Sequence, residues 1–190
     1  MQLNLRAATA PEWIALCQQN LPTLLSDHAH CERKAAATAL SFISRLPGDG
    51  VLVTAMASLA REESGHLARV HRMLQQRGWP LLPDARDDYV LALRARVRKG
   101  TTEQIVDELL VAALIELRSA ERLGILAQGL GDEELRGMYS DLALAEAGHA
   151  ALFVERARAY SDDVDSALDR WLTQEAQVLQ SIPPAPRIHG

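Results

Sequence analysis

The sequence pairs a carboxylate with an imidazole three residues later twice over, at Glu63–His66 and at Glu146–His149. Residues three apart on an α-helix share a face, so each pair can offer an oxygen and a nitrogen to one metal ion. Both pairs interrupt apolar stripes. Met56, Leu59, Glu63, His66, Val70 and Met73 follow spacings of 3, 4, 3, 4 and 3, and Leu135, Met138, Leu142, Glu146, His149 and Phe153 follow 3, 4, 4, 3 and 4. Stripes of this kind are the buried faces of helices. An ionised carboxylate on such a face is costly unless something compensates its charge.

Two further stripes each carry one Glu. Leu25, Ala29, Glu32, Ala36, Ala39 and Ile43 form the first; Ile105, Leu109, Ala112, Glu116, Ser119 and Leu123 form the second. Glu32 and Glu63 lie 31 residues apart across one turn signal, and Glu116 and Glu146 lie 30 apart across another. The chain therefore reads as two pseudo-repeats, each of the form Glu … Glu-x-x-His. Four ionised carboxylates carry a charge of about −4, which two divalent cations offset. Mixed carboxylate and imidazole donors suit iron or manganese better than a structural zinc, and inward-facing Glu and Glu-x-x-His sets build dimetal sites in helical bundles. A single Glu-x-x-His is ordinarily a surface Glu with an ion-pair partner; the matched repetition on apolar seams is what points to a metal. Glu121 is an alternative to Glu116, although it stands about 140° around the helix from it. Glu62 reads as solvated, and Cys31 as a small buried apolar residue. His28, one turn before Glu32, reads as a satisfied histidine or as a group behind that ligand.

The elements that must carry these residues are punctuated clearly. Thr9-Ala10-Pro11-Glu12 has the form of a helix start. A long helix is expected from Pro22 to about Arg45, stopped by Pro47-Gly48-Asp49-Gly50, and a second from Val51 to Arg77, closed by Gly78 and Pro80. Residues 81–100 read as irregular and then as a shorter helix. Thr101 and Gln104 have the spacing of a capping box before a third long helix to about Gln128. Asp132 caps a fourth, to about Tyr160, and Ser161-Asp162-Asp163 opens a last one before the proline-rich tail. Four long helices joined by a short turn, a long crossover and another short turn give an all-α, ferritin-like four-helix bundle with one crossover, plus short N- and C-terminal helices.

Composition narrows the rest. The chain has 190 residues, 48% hydrophobic, 24% charged and only 4% aromatic, with a formal net charge of −5. That length and balance fit a single domain over 1–190 and exclude wholesale disorder. No apolar run is long enough to span a bilayer, Met1–Arg6 lacks a secretory h-region, and Cys17 and Cys31 make no Cys-x-x-Cys motif. A cytoplasmic protein with no membrane association is expected; oligomeric state is not legible.

The chain resembles the MiaE family, the tRNA-(2-methylthio-N6-isopentenyladenosine) hydroxylases. The likeness rests on Leu25-Ser-Asp-His-Ala-His-Cys-Glu-Arg-Lys-Ala-Ala-Ala-Thr-Ala-Leu40, Leu59-Ala-Arg-Glu-Glu-Ser-Gly-His66, Val111-Ala-Ala-Leu-Ile-Glu-Leu-Arg-Ser-Ala-Glu-Arg122, Glu146-Ala-Gly-His149 and the ending Pro186-Arg-Ile-His-Gly190. Departures are small: Ala120 stands where a cysteine is expected, and Ser64-Gly65 is an unusual filling of its pair. The resemblance implies O2-dependent hydroxylation of the isopentenyl group on the adenosine at position 37 of tRNA, beside the anticodon. It implies two iron ions held by Glu32, Glu63, His66, Glu116, Glu146 and His149, with O2 as co-substrate. Electrons would come from a separate reductase or electron-transfer protein, since the chain has no flavin motif or iron–sulfur cysteines. Arg86, Arg94, Arg96, Arg98 and Lys99, set against Asp87 and Asp88, form the candidate patch for the tRNA anticodon loop; a solvated helix face is the plainer reading. The same six ligands would also serve ferritin- or rubrerythrin-like iron oxidation or peroxide reduction.

Overall fold

Helix boundaries follow from local chemistry. In the computed structural model, which describes residues 3–100 and 102–189, seven α-helices and no strands are found among the described residues. They are α1 Trp13–Gln19, α2 Leu21–Arg45, α3 Gly50–Gln76, α4 Asp88–Arg94, α5 Thr102–Gly129, α6 Glu133–Ala157 and α7 Val164–Ser181. Asp49, Asp87 and Asp132 each accept a hydrogen bond from the backbone N–H three residues on, at 2.9, 2.9 and 3.0 Å, and so satisfy donors that a helix start leaves open. Gly78 ends α3 at φ +67°, a conformation that side chains disfavour, while Trp79 N–H returns to the Leu74 carbonyl. Thr101, half of the expected capping box, lies outside the described residues. Its partner Gln104 instead accepts from Gly100 N–H at 2.7 Å. The fourth long helix ends at Ala157 rather than near Tyr160: residues 158–160 continue as turns, with Ala159 N–H and Tyr160 N–H bonding back three residues, to the Arg156 and Ala157 carbonyls, rather than four.

Two compact units are present. One comprises residues 19–85 and 186–188 and is the α2–α3 hairpin. Leu24, Leu25, Phe42, Leu52, Met56, Leu59, Val70 and Leu74 fill its core. The chain leaving α3 is strapped back along α2: Leu82 N–H donates to Ser26 Oγ at 3.1 Å, His30 Nε2 meets the Leu82 carbonyl at 2.8 Å, and Asp84 pairs with Arg33 and Lys34. Residues 186–188 return to this unit, where Ile188 N–H donates to Asp27 Oδ2 at 2.8 Å.

The other unit comprises the described residues of 1–18, 86–185 and 189–190. Its α5–α6 hairpin is flanked by α4 and α7. Helix α1 approaches the end of α5 so closely that a Cβ on Gly129 would lie 2.9 Å from Ile14 Cγ1, which is why a glycine stands there. The N-terminal segment is tied down by ions: Arg6 pairs with Asp169 and Thr173, and the Arg122 guanidinium lies 4.9 Å over the Trp13 ring. Four long helices in two hairpins, joined by a crossover that contains α4, match the all-α, ferritin-like class expected from the helix order. No helix is long and apolar enough to cross a membrane among the described residues.

Candidate metal centre

Each hairpin gathers a Glu, Glu, His set. In the α2–α3 unit the striping residues turn inward as their spacing requires, and Glu32 and Glu63 go with them, at 4% and 0% exposure. His66 Nδ1 stands 3.5 Å from Glu32 Oε2 and 3.4 Å from Glu63 Oε2. One ligand atom from each of the three lies within 4.8 Å of the others. His28, a turn before Glu32, brings its Nε2 to 2.6 Å from Glu32 Oε1. Burial pushes the Glu32 carboxyl up, but the imidazoles of His28 and His66 outweigh it and hold this carboxylate well below its ordinary range. His28 is therefore the group behind Glu32.

The α5–α6 unit repeats the arrangement. Glu116, Glu146 and His149 are buried, and their ligand atoms also fall within 4.8 Å of one another. His149 Nδ1 is 3.5 Å from Glu146 Oε2. Donors about 2.0–2.2 Å from a common metal lie within about 4.4 Å of each other, so both triads need only small side-chain adjustments to close on an ion. Each triad brings two carboxylates and one imidazole, a charge of about −2 when ionised, which suits one divalent cation per unit. Two like-charged carboxylates packed side by side in an apolar interior are otherwise hard to justify.

Residues 1–190 match the model of the family described as tRNA-(MS[2]IO[6]A)-hydroxylase (MiaE). The chain belongs to the MiaE family. A tRNA 2-(methylsulfanyl)-N(6)-isopentenyladenosine(37) hydroxylase of Pseudomonas putida is 38% identical over 184 residues, covering 96% of this chain and 89% of that protein. The enzyme of the same name from Salmonella typhimurium is 27% identical, over 98% of this chain and 87% of its own. A solved structure described as protein 43 with aldehyde deformylating oxygenase activity from Synechococcus superposes with a TM-score of 0.92 at 34% identity, covering 98% of this chain and 95% of that one.

Within this MiaE-family chain, the two candidates on α5 have separate surroundings. Glu116 shares its space with Glu146 and His149. Glu121 faces the N-terminal segment: Oε1 accepts from Thr9 N–H at 2.8 Å, while Oε2 accepts from the Thr9 hydroxyl at 2.6 Å and from Arg118 at 2.7 Å. The five cations of this segment are exposed. Arg98 forks onto Asp107 at 2.7 Å through two nitrogens, Arg96 reaches the Gln174 carbonyl at 2.7 Å, and Arg86 bonds Asp88 at 2.6 Å. Arg94 and Lys99 are exposed beside them.

Sequence reasoning missed two buried polar groups of the second unit. Arg118, fully buried, bonds Glu175 Oε1 through Nε at 3.0 Å and Nη2 at 2.7 Å, and Tyr89 donates to the same oxygen at 3.0 Å. Glu175 breaks the apolar series Leu168, Trp171, Leu172, Val178 at helical spacing, the same signal that singled out Glu63 and Glu146. The second group joins Ser119, His189 and Asp87, with contacts of 2.9 and 3.1 Å. In the sequence Ser119 shows only as a position in an apolar stripe.

Proposed function

We propose that this chain is a non-haem di-iron tRNA hydroxylase acting on the isopentenyl group of 2-methylthio-N6-isopentenyladenosine at position 37. The carrying observation is the Glu, Glu, His triad with buried carboxylates, found once in each hairpin of a chain that belongs throughout its length to the MiaE family. The reading joins Glu32, Glu63 and His66 with Glu116, Glu146 and His149 in one centre for two iron ions, and treats 1–190 as one catalytic domain. The iron pair supplies the O2 chemistry when bound. The chain's own residues do the rest. Glu32, Glu63, Glu116 and Glu146 would hold the ions together with His66 and His149, His28 fixes Glu32 by its 2.6 Å contact, and the apolar stripes would keep water from the reacting carbon. A splayed anticodon-loop base would present its isopentenyl group to this centre, with Arg86, Arg94, Arg96, Arg98 and Lys99 offered to the phosphates. Electrons come from a separate reductase, and the cytoplasm, where tRNA is modified, is the expected location.

The test is mass analysis of nucleosides from undermodified tRNA incubated with iron-loaded protein, O2 and a reductant, beside a parallel reaction with a long-chain aldehyde. Gain of one oxygen on the isopentenylated adenosine is the expected outcome. Loss of the aldehyde without any nucleoside change would instead favour the activity named for the Synechococcus relative. Iron content gives a second reading: Glu116→Ala should lower it below the two ions per chain expected of the unaltered protein, and Glu121→Gln should leave it intact. The reverse pattern would move the third-helix ligand to Glu121.

A further inference from the structure

We propose that the outward stripe of α3, formed by Arg61, Gly65, Ala68 and Arg72, is the docking face for an acidic one-electron donor protein, an inference that rests on the di-iron reading above and names where its electrons enter. The four residues follow spacings of 4, 3 and 4, and all are exposed. Arg61 and Arg72 stand about 16.5 Å apart along the helix axis. Arg61 Nη2 reaches Ser58 Oγ at 3.5 Å, and neither guanidinium is paired with a carboxylate among the described residues. Glu62, at the edge of the stripe, accepts from Ser58 Oγ at 3.1 Å. From Ser64 to Arg77 the helix has three arginines and no acid. The unit that carries this face has eight Lys and Arg against six Asp and Glu, with two of those acids buried at Glu32 and Glu63, in a chain of net charge −5.

Gly65 gives the face its floor. A Cβ there would meet nothing within 4 Å, and its φ is not positive, so neither packing nor backbone conformation requires glycine. Alanine is the better helix former at such a position, whereas glycine lets another surface come closest to the helix backbone. The backbone laid bare belongs to the ligand-bearing turn, because Gly65 directly precedes His66. His66 is also the least covered of the six candidate ligands, its side chain 17% exposed. The second repeat has a glycine in the same place, Gly148 before His149, but Leu144 and Glu155 stand at the positions of Arg61 and Arg72. Of the two matching stripes, the one on α3 carries the cations.

Cations beside a bare backbone attract an anionic surface, and position decides which one. The stripe lies about 160° around α3 from Glu63 and His66. A nucleobase bound for those ligands cannot pass through a helix, whereas an electron tunnels across its width of about 10–12 Å. A face turned away from the ligands therefore suits the donor rather than the substrate. Redox encounters are also served by small, charge-steered contacts. Inserting one oxygen atom of O2 into a C–H bond consumes two electrons and two protons and yields C–OH and one water. Each docking passes one electron and leaves the donor oxidised by one, so two successive dockings supply the pair, and the protons come from solvent.

The probe is an acidic 2Fe–2S ferredoxin of the plant type, kept reduced by its own reductase. Added to nitrogen-15-labelled, metal-free protein, it should shift amide resonances within residues 58–76 of α3. The double variant Arg61→Gln with Arg72→Gln should weaken that binding about tenfold and flatten its salt dependence. Once loaded with iron, the same variant should lose at least about tenfold in ferredoxin-supported hydroxylation at low salt, while dithionite-supported hydroxylation, iron content and tRNA affinity stay at wild-type values. Gly65→Gln, which fills the floor but keeps both charges, should weaken ferredoxin binding and leave its salt dependence intact. Ferredoxin binding that is absent from the wild type, or unchanged in the double arginine variant, would overturn the docking face. Loss of tRNA affinity with ferredoxin binding intact would also overturn it, and would give the face to RNA. Wild-type protein that takes up no iron, or hydroxylates nothing with dithionite, would overturn the di-iron reading and this face with it.

Discussion

Replacing Arg118 by Met probes how strongly one buried charge governs the second unit. The guanidinium, 0% exposed, serves Glu175 through two nitrogens, Glu121 at 2.7 Å and the Ala7 carbonyl at 2.8 Å. Burial draws its proton affinity down, but the Glu175, Tyr89 and Glu121 oxygens raise it further, so the group stays charged. Methionine fills similar space without charge and strands Glu175. Every donor to that carboxylate reaches Oε1, while Oε2 is buried with no hydrogen-bond partner, so only the Tyr89 hydroxyl would remain. Removing one member of a buried ion pair costs about 3–5 kcal/mol. In a chain of this size that corresponds to a fall of roughly 6–20 °C in Tm. Glu175→Gln should cost less, because Arg118 keeps Glu121 and the Ala7 carbonyl. The double variant Arg118→Met with Glu175→Gln should be more stable than Arg118→Met alone, since no unpaired buried charge is left. The assay is urea and thermal unfolding of metal-free protein in chelator, so that metal binding does not add to apparent stability. An Arg118→Met cost under about 1 kcal/mol, or single-variant costs that simply add, would refute the reasoning.

Two other outcomes follow from cationic residues of the crossover. Burial raises the Asp107 carboxyl, but the Arg98 fork and Trp171 Nε1–H at 3.0 Å outweigh it and hold it below its ordinary value of 3.8. Because the folded value is depressed, this contribution is complete above the unfolded value and disappears as pH falls through the folded one. Asp107→Asn should therefore cost about 1–2 kcal/mol at pH 7, with the gap to wild type closing only below about pH 4; a gap constant down to pH 2 in denaturant titrations would contradict this. Arg94→Ala, Arg96→Ala and Lys99→Ala combined should weaken tRNA binding and flatten its salt dependence, by about 0.7 in logarithmic slope per lost contact to single-stranded RNA. Filter binding across a salt series measures both, and an unchanged slope would reject the patch.

Much of this protein is local, and what is local was legible in its sequence. Asp49 and Asp132 cap their helices, and Pro47 and Gly78 stop theirs, because the groups satisfied at a helix end lie within three or four residues. The buried carboxylates could be read for a related reason: a Glu on an apolar stripe advertises a buried charge wherever its helix packs. That argument is silent on partners. Glu116 stands on the apolar stripe and Glu121 on another face of the same helix, but only the folding of Thr9 onto α5, 112 residues away in sequence, shows what occupies Glu121. Arg118 meets Glu175 across 57 residues and Ser119 meets His189 across 70, with no periodicity linking either pair. Helical spacing fixes which face a side chain occupies, whereas the identity of the atom opposite it depends on how helices dock. That docking decided which carboxylate on α5 is left beside Glu146 and His149, and brought the terminal histidine to the α5 serine.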